Sequence, residues 1–188
     1  GRFDAMAQGL PRSHPGWLAD LRRECMQGFV SSGFEESAGR HWPLASCLAG
    51  RTLKPGETGT LDAAIPGAYQ LPSAHSLVFV DGLYAQHLSR VKTLPDGVIA
   101  EPLSRVLETD PESLRMPMEH LLARNNHPLS DWVAAWFYDG VYVYVPPRVQ
   151  LECPIQIVHI HAGNSTMVSH RHIIRLAPGA EARVLETH

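Results

Sequence analysis

Two pairs of histidines have the spacing expected of metal ligands on β-strands. His159 and His161 lie two residues apart in one predicted strand, and His170 and His172 repeat this spacing in the next. Residues two apart on a strand point to the same face. Four imidazoles that converge from neighbouring strands could bind Zn²⁺ or iron, as in a cupin-like metal site.

A second interpretation of these histidines needs no metal. A cupin-like site also requires a carboxylate shortly after the His-x-His pair, and residues 162–165 read Ala-Gly-Asn-Ser instead. Imidazoles along a strand face can also be satisfied by ordinary hydrogen bonds. We favour this second interpretation and assign no metal ligand. A small His-liganded metalloprotein or enzyme of the cupin-like type stays open as the alternative.

The cysteines give no support for thiol chemistry. Cys25, Cys47 and Cys153 are far apart and form no Cys-x-x-Cys motif, so neither a disulfide framework nor a thiolate metal cage is predicted. Cys153 shares a segment with His159, but the extended strand between them spans about 20 Å, too far for a Cys–His dyad. Scattered thiols of this kind fit a reducing compartment, and we expect a cytoplasmic protein.

The carboxylates suggest helix capping and not acid–base catalysis. Asp110, Glu112 and Glu119 surround Pro111, where they look like charges near a helix start that favour the helix dipole. No nucleophile motif or phosphate-binding loop accompanies them. We therefore assign no catalytic and no cofactor-binding residue, and we expect that the chain is not an enzyme.

Composition and charge exclude several kinds of partner. The net charge is −3, and the two lysines, Lys54 and Lys92, form no basic stripe, so we expect no nucleic-acid partner. No apolar run approaches the ~18 residues that a membrane-spanning helix requires. No secretory leader opens the sequence either, and we expect no membrane partner.

Helical periodicity dominates the first part of the chain. Over residues 15–32, apolar side chains recur at i, i+3 and i+4, and a mostly polar face that includes Arg22 and Arg23 lies opposite. Residues 33–59 are rich in Gly, Ser and Pro and are typical of an irregular connector. Three further helices are predicted at residues 102–109, 112–124 and 129–138.

Strand patterns appear at residues 76–87 and again after Asp139. The first is a predicted hairpin around Asp81-Gly82, because this dipeptide tolerates the positive φ of two-residue turns. After Asp139, short apolar runs alternate with Pro/Gly turns and no helix intervenes. We predict an α+β fold, with a mostly helical domain over residues 1–138 that includes the hairpin, and a strand-rich domain over residues 139–188.

Several segments resemble the SufD branch of the SufB/SufD family of SUF iron–sulfur cluster assembly proteins. Residues 76–84 look like the family's LVFVDG-x-Y hairpin, and residues 151–155 resemble its LE-x-PI segment. Residues 169–186 are similar to its H-x-R-x-x-x-x-L-x-x-G-A-x-A-x-V-x-E run, which is the most specific piece. Together the similar segments cover most of residues 76–188.

The resemblance implies both a fold and a role. The fold would place the first coils of a truncated right-handed parallel β-helix at residues 139–188. The role would be a non-catalytic scaffold subunit of a cytosolic complex that pairs with a SufB-like paralogue and is bound by a SufC-like ATPase. The family's residues for cluster assembly and ATPase contact lie in a C-terminal half beyond these 188 residues, so none is carried over.

The strand rhythm also predicts self-association. The pattern stops in mid-course, and Gly1 stands where a full-length protein would begin with Met, so we expect a piece of a longer protein. Each coil of a stacked β-architecture covers the apolar face of its neighbour. A severed stack therefore leaves an exposed edge, through which we expect the fragment to associate with a second copy.

Overall fold

The computed structural model describes residues 15–32, 64–123, 128–162 and 168–188. The helices, in chain order, are α1 (Gly16–Ser32), α2 (Ala64–Tyr69), α3 (Leu103–Thr109), α4 (Glu112–Ala123) and α5 (Pro128–Trp136). The strands are β1 (His75–Val80), β2 (Leu83–Tyr84), β3 (Ile99–Pro102), β4 (Val141–Val145), β5 (Ile155–Ile160), β6 (Ile173–Leu176) and β7 (Val184–Thr187). The described elements thus combine helices with two small sheets, which confirms the α+β class.

The described residues fall into two compact units. One contains α1, α4 and α5. The other contains every described strand, so the hairpin that the sequence analysis placed in the N-terminal domain groups with the later strands. The reason is that β1 pairs in parallel with β5 over its whole length.

The helical unit is built on the apolar stripe of α1. Leu18 is fully buried, and Phe29 packs its ring 5.0 Å from that of Trp132 on α5. Arg22 departs from the prediction, because it is only 6% exposed and donates a hydrogen bond to the backbone oxygen of Phe137 at 2.8 Å. Its assignment to the solvent face was therefore wrong, whereas Arg23 is exposed as predicted.

The hairpin has the geometry that its sequence predicts. Asp81 and Gly82 adopt φ values of 47° and 92°, which place both turn residues in the left-handed region. The turn joins β1 to β2, which pair in the register Phe79 with Tyr84 and Val80 with Leu83. The prediction of a hairpin at residues 76–87 is confirmed.

The strands form two open sheets, in the orders β2-β1-β5-β7 and β3-β4-β6. β5 pairs in parallel with both β1 and β7, and β4 pairs in parallel with β6. A parallel bridge between Gln150 and Glu181 connects the turns that lie between these strands. The segment from β6 to β7 is therefore stacked on the segment from β4 to β5, strand on strand and turn on turn.

The core of this unit is shared by both sheets. Leu77, Ile157 and Val143 are almost fully buried and belong to one apolar cluster with contributions from β1, β4 and β5. The described strands do not close into a barrel, so the cupin-like alternative lacks its architecture in the described part of the chain. Within the same described ranges, no helix combines the length and the apolar character needed to cross a membrane.

Candidate functional site

The core-facing side of the larger sheet changes from apolar to polar at one end. On β5 the alternating residues run from the buried Ile155 and Ile157 to His159. Glu186 on β7 is the register partner of Ile157, and His188 follows Glu186 by two residues. Because residues two apart on a strand share a face, His159, Glu186 and His188 project from the same side of the sheet.

The carboxylate of Glu186 is the centre of this group. Its Oε1 lies 2.9 Å from Nε2 of His159, 3.3 Å from Nε2 of His172 and 3.5 Å from Nε2 of His188. The candidate ligand atoms of His159, Glu186 and His188 all lie within 4.8 Å of one another. The described residues therefore include a compact cluster of nitrogen and oxygen atoms of the kind that binds a metal ion.

His170 and His172 reach the cluster from the segment just before β6. His170 forms an isolated parallel bridge with Asp139, and its ring centroid lies 4.2 Å from that of His159. The ring centroid of His172 lies 5.6 Å from that of His159. The prediction that both residues lie within a strand was wrong, although the imidazoles do converge with His159.

Burial keeps the inner imidazoles neutral at physiological pH. The side chain of His159 is 1% exposed. Burial, reinforced by His172, lowers the pKa of His159 to about 4, and burial together with His159 and His172 lowers the pKa of His170 to about 3. Burial would raise the pKa of Glu186, but His172 and His159 face its carboxylate and bring that pKa below its usual value.

The hydrogen bonds fix the tautomer of His172. The backbone N–H of Val141 donates to Nδ1 of His172 at 3.0 Å, so Nδ1 must carry the lone pair. A neutral His172 then holds its proton on Nε2, the atom that faces Glu186. His172 is therefore a donor to the carboxylate and has no lone pair on Nε2 to offer a metal.

One ring nitrogen of His170 has no partner among the described residues. Its Nε2 is buried and makes no hydrogen bond to any of them. Buried polar atoms nearly always have a partner, so this nitrogen is a candidate to contact a ligand.

The histidine spacing predicts only part of this cluster. His159, His170 and His172 lie together, but the fourth predicted histidine, His161, is exposed beyond the end of β5. Glu186 and His188 were not predicted, because the expected carboxylate was one close to His159 along the chain. The carboxylate comes instead from β7, the parallel neighbour of β5.

The other candidates for chemistry lie elsewhere. Cys25 is buried and Cys153 is half-buried, and no disulfide joins them in the described part of the chain. Cys47 lies outside the described residues. Glu112 lies in the first turn of α4 as predicted. Glu119 forms an exposed ion pair with Arg115 at 3.0 Å, so it has an ordinary role on the helix surface.

One comparison with known proteins finds a match. Residues 70–157 match the family model described as the SufBD protein N-terminal region. A search of the curated proteins finds no match. The matched residues run from just before β1 into β5 and stop short of His159. The histidine–glutamate cluster therefore lies entirely outside them.

Proposed function

We propose that this chain is a non-catalytic scaffold subunit of the SUF iron–sulfur cluster assembly machinery. The observation that carries the proposal is the match over residues 70–157, which supports membership of the SufB/SufD family. Iron and sulfide would be the cargo of the complex, and this subunit would supply shape and docking surface in the cytoplasm. It would pair with a SufB-like subunit and a SufC-like ATPase.

Assignment to the SufD branch rests on the sequence motifs. Residues 76–84 carry the hairpin motif and fall inside the matched residues. Residues 169–186 carry the longer motif and fall outside them, so this motif supports the proposal independently of the match. In the structure it includes the end of the segment before β6, all of β6 and most of β7.

We further propose that the stacked strands are the first coils of a right-handed parallel β-helix. In support, β6 and β7 repeat β4 and β5 in parallel register, and the intervening turns are joined by hydrogen bonds between Glu181 and both Val149 and Leu151. Parallel crossover connections are almost always right-handed. A crystal structure of the full-length protein that traced left-handed coils, or no further coils, would contradict this proposal.

Co-purification tests the functional proposal directly. The tagged full-length protein would be co-expressed with SufB-like and SufC-like subunits from the same genome, with an unrelated tagged protein as the control. We expect the bait to retain both subunits and the purified complex to hydrolyse ATP through its SufC-like subunit alone. Retention of neither subunit, or ATP hydrolysis by the isolated chain, would overturn the proposal.

A further inference from the structure

The end of the larger sheet places ligand-type atoms where a packed core would place apolar ones. His159, Glu186 and His188 continue the core-facing rows of β5 and β7, which begin with Ile155 and Val184. Burying an imidazole next to a carboxylate is unfavourable unless the polar atoms of both groups have hydrogen-bond partners. This arrangement therefore calls for an explanation beyond packing.

We propose that Nε2 of His159, a carboxylate oxygen of Glu186 and Nε2 of His188 bind one divalent first-row transition-metal ion. The inference goes beyond the proposed scaffold function and does not rest on it. Two imidazoles and a carboxylate are a ligand set that suits Zn²⁺ and Fe²⁺, and the absence of thiolate from this set disfavours a soft ion such as Cu⁺.

The distances suit such an ion. Metal–ligand bonds of about 2.0–2.2 Å in tetrahedral geometry hold the ligand atoms about 3.4 Å apart. Oε1 of Glu186 lies 2.9 Å from Nε2 of His159 and 3.5 Å from Nε2 of His188, on either side of that value. The ligand atoms of all three residues lie within 4.8 Å of one another, so rotations of the exposed Glu186 and His188 side chains would close the site.

His172 acts as a positioning residue for the carboxylate. Its Nδ1 is occupied by the Val141 N–H, so its Nε2–H can only donate to Glu186. A hydrogen bond to a ligating carboxylate is the usual way in which a protein orients its metal ligands. This assignment excludes His172 from the ligands although its Nε2 lies closer to Glu186 than that of His188 does.

A second observation points to a missing ligand. Nε2 of His170 is buried and has no hydrogen-bond partner among the described residues. Buried polar atoms nearly always have a partner. The ring centroid of His170 lies 4.2 Å from that of His159, so this unpartnered nitrogen belongs to a ring beside the proposed site.

The experiment uses the whole chain, freed of metal with a chelator, and Zn²⁺ and Co²⁺ as probes. Calorimetric titration with Zn²⁺ gives stoichiometry and affinity, and the visible bands of bound Co²⁺ report the ligand set. We expect one equivalent of either ion. Glu186→Gln and His188→Ala should each weaken Zn²⁺ binding by more than the roughly 10–100-fold that loss of an orienting partner costs. Both residues are exposed, so neither substitution threatens the fold.

His172→Ala separates positioning from ligation. It should retain one equivalent of Co²⁺, shift the visible bands and weaken Zn²⁺ binding by about 10–100-fold. His161→Ala is the matched control, because His161 is an exposed histidine near the end of the same strand and should leave binding unchanged. Absence of Zn²⁺ uptake by the wild-type chain, or unchanged affinity in both Glu186→Gln and His188→Ala, would overturn the inference.

Discussion

Ser104 donates two hydrogen bonds to Asp139. Its backbone nitrogen lies 2.9 Å from Oδ1, and its hydroxyl oxygen lies 2.9 Å from Oδ2. Oδ1 also accepts the backbone N–H of Gly140 at 2.8 Å. Since Asp139 is only 3% exposed, its carboxylate replaces water as the partner of the Ser104 N–H at the start of α3. Asp139 thereby fixes this helix start to the chain segment that enters β4.

Two substitutions at Asp139 separate its acceptor role from its charge. Asp139→Ala leaves the N–H groups of Ser104 and Gly140 without their acceptor and should lower the free energy of unfolding by about 1–3 kcal/mol. Asp139→Asn keeps one oxygen as acceptor for both N–H groups and should lower the free energy of unfolding much less. Urea denaturation of the two variants measures the difference. If both variants lost the same unfolding free energy, the stabilisation would come from the charge of Asp139 and not from its role as an acceptor.

The same carboxyl group predicts a dependence of stability on pH. Burial raises the pKa of Asp139, although hydrogen bonds from Ser104 and Gly140 oppose the shift. Because the native state holds the proton more firmly than the unfolded state, the contribution of Asp139 to stability falls as the pH rises from the unfolded pKa through the higher native one. Relative to the wild type, Asp139→Asn should therefore gain stability over that interval. If the difference in unfolding free energy between Asp139→Asn and the wild type did not change with pH, this prediction would be contradicted.

Gly140 is a position where no side chain fits. A Cβ atom there would overlap the backbone carbonyl oxygen of Arg171, whose N–H donates to the backbone oxygen of Asp139 at 3.0 Å. We expect Gly140→Ala to destabilise the protein by about 1–3 kcal/mol, because backbone would have to move. Thermal unfolding measures this.

Gly67→Ala is the control for Gly140→Ala. No atom lies within 4 Å of the Cβ that it would add, and the residue is within α2. It should leave the protein unchanged or stabilise it by about 0.5–1 kcal/mol through the lower flexibility of alanine. If the two substitutions behaved alike, the contact between Gly140 and the backbone of Arg171 would not be tight.

Arg22 and Arg23 are adjacent in α1 and should respond differently to truncation. The guanidinium of Arg22 lies over the ring of Phe137 at 4.7 Å and donates to the backbone oxygen of the same residue. Arg22→Ala should therefore lower the free energy of unfolding by about 1.5–3 kcal/mol. Arg23 pairs with Asp20 at the surface. Arg23→Ala should therefore change the free energy of unfolding by less than about 0.5 kcal/mol. Chemical denaturation that ranks them in the opposite order would contradict the burial of Arg22.

Local elements were predictable because their signals are local. The Asp81-Gly82 turn requires only a dipeptide that accepts positive φ, and the apolar stripe of α1 repeats within a few residues. Arg22 was assigned to the wrong face because helical periodicity predicts where a side chain points from the helix, but it does not reveal a distant acceptor such as the backbone oxygen of Phe137. Long aliphatic stems allow arginine to be buried in this way.

The candidate site was harder to predict because its members meet through register. His159 and Glu186 are far apart along the chain and come together only because β5 and β7 pair in parallel with Ile157 opposite Glu186. A shift of one residue would send Glu186 to the other face of the sheet. No spacing rule within one segment could have found this pair.

The outer strands of the two sheets predict self-association. Within the described residues, β6 pairs only with β4 and β7 only with β5, so each has one open edge. Ile174, Leu176 and Leu185 on these strands are exposed by 46%, 49% and 43%. Open, apolar strand edges are templates for pairing with another chain.

We therefore expect the chain to form concentration-dependent oligomers, measured by sedimentation velocity. Ile174→Lys and Leu185→Lys should each shift the equilibrium towards the monomer, because a lysine on an open strand edge hinders pairing with a second strand. Val30→Lys is the matched control, since Val30 is 69% exposed but belongs to the helix α1, which has no strand edge of its own. A single monomeric species at every concentration, or dissociation by the control substitution as well, would show that these edges do not mediate association.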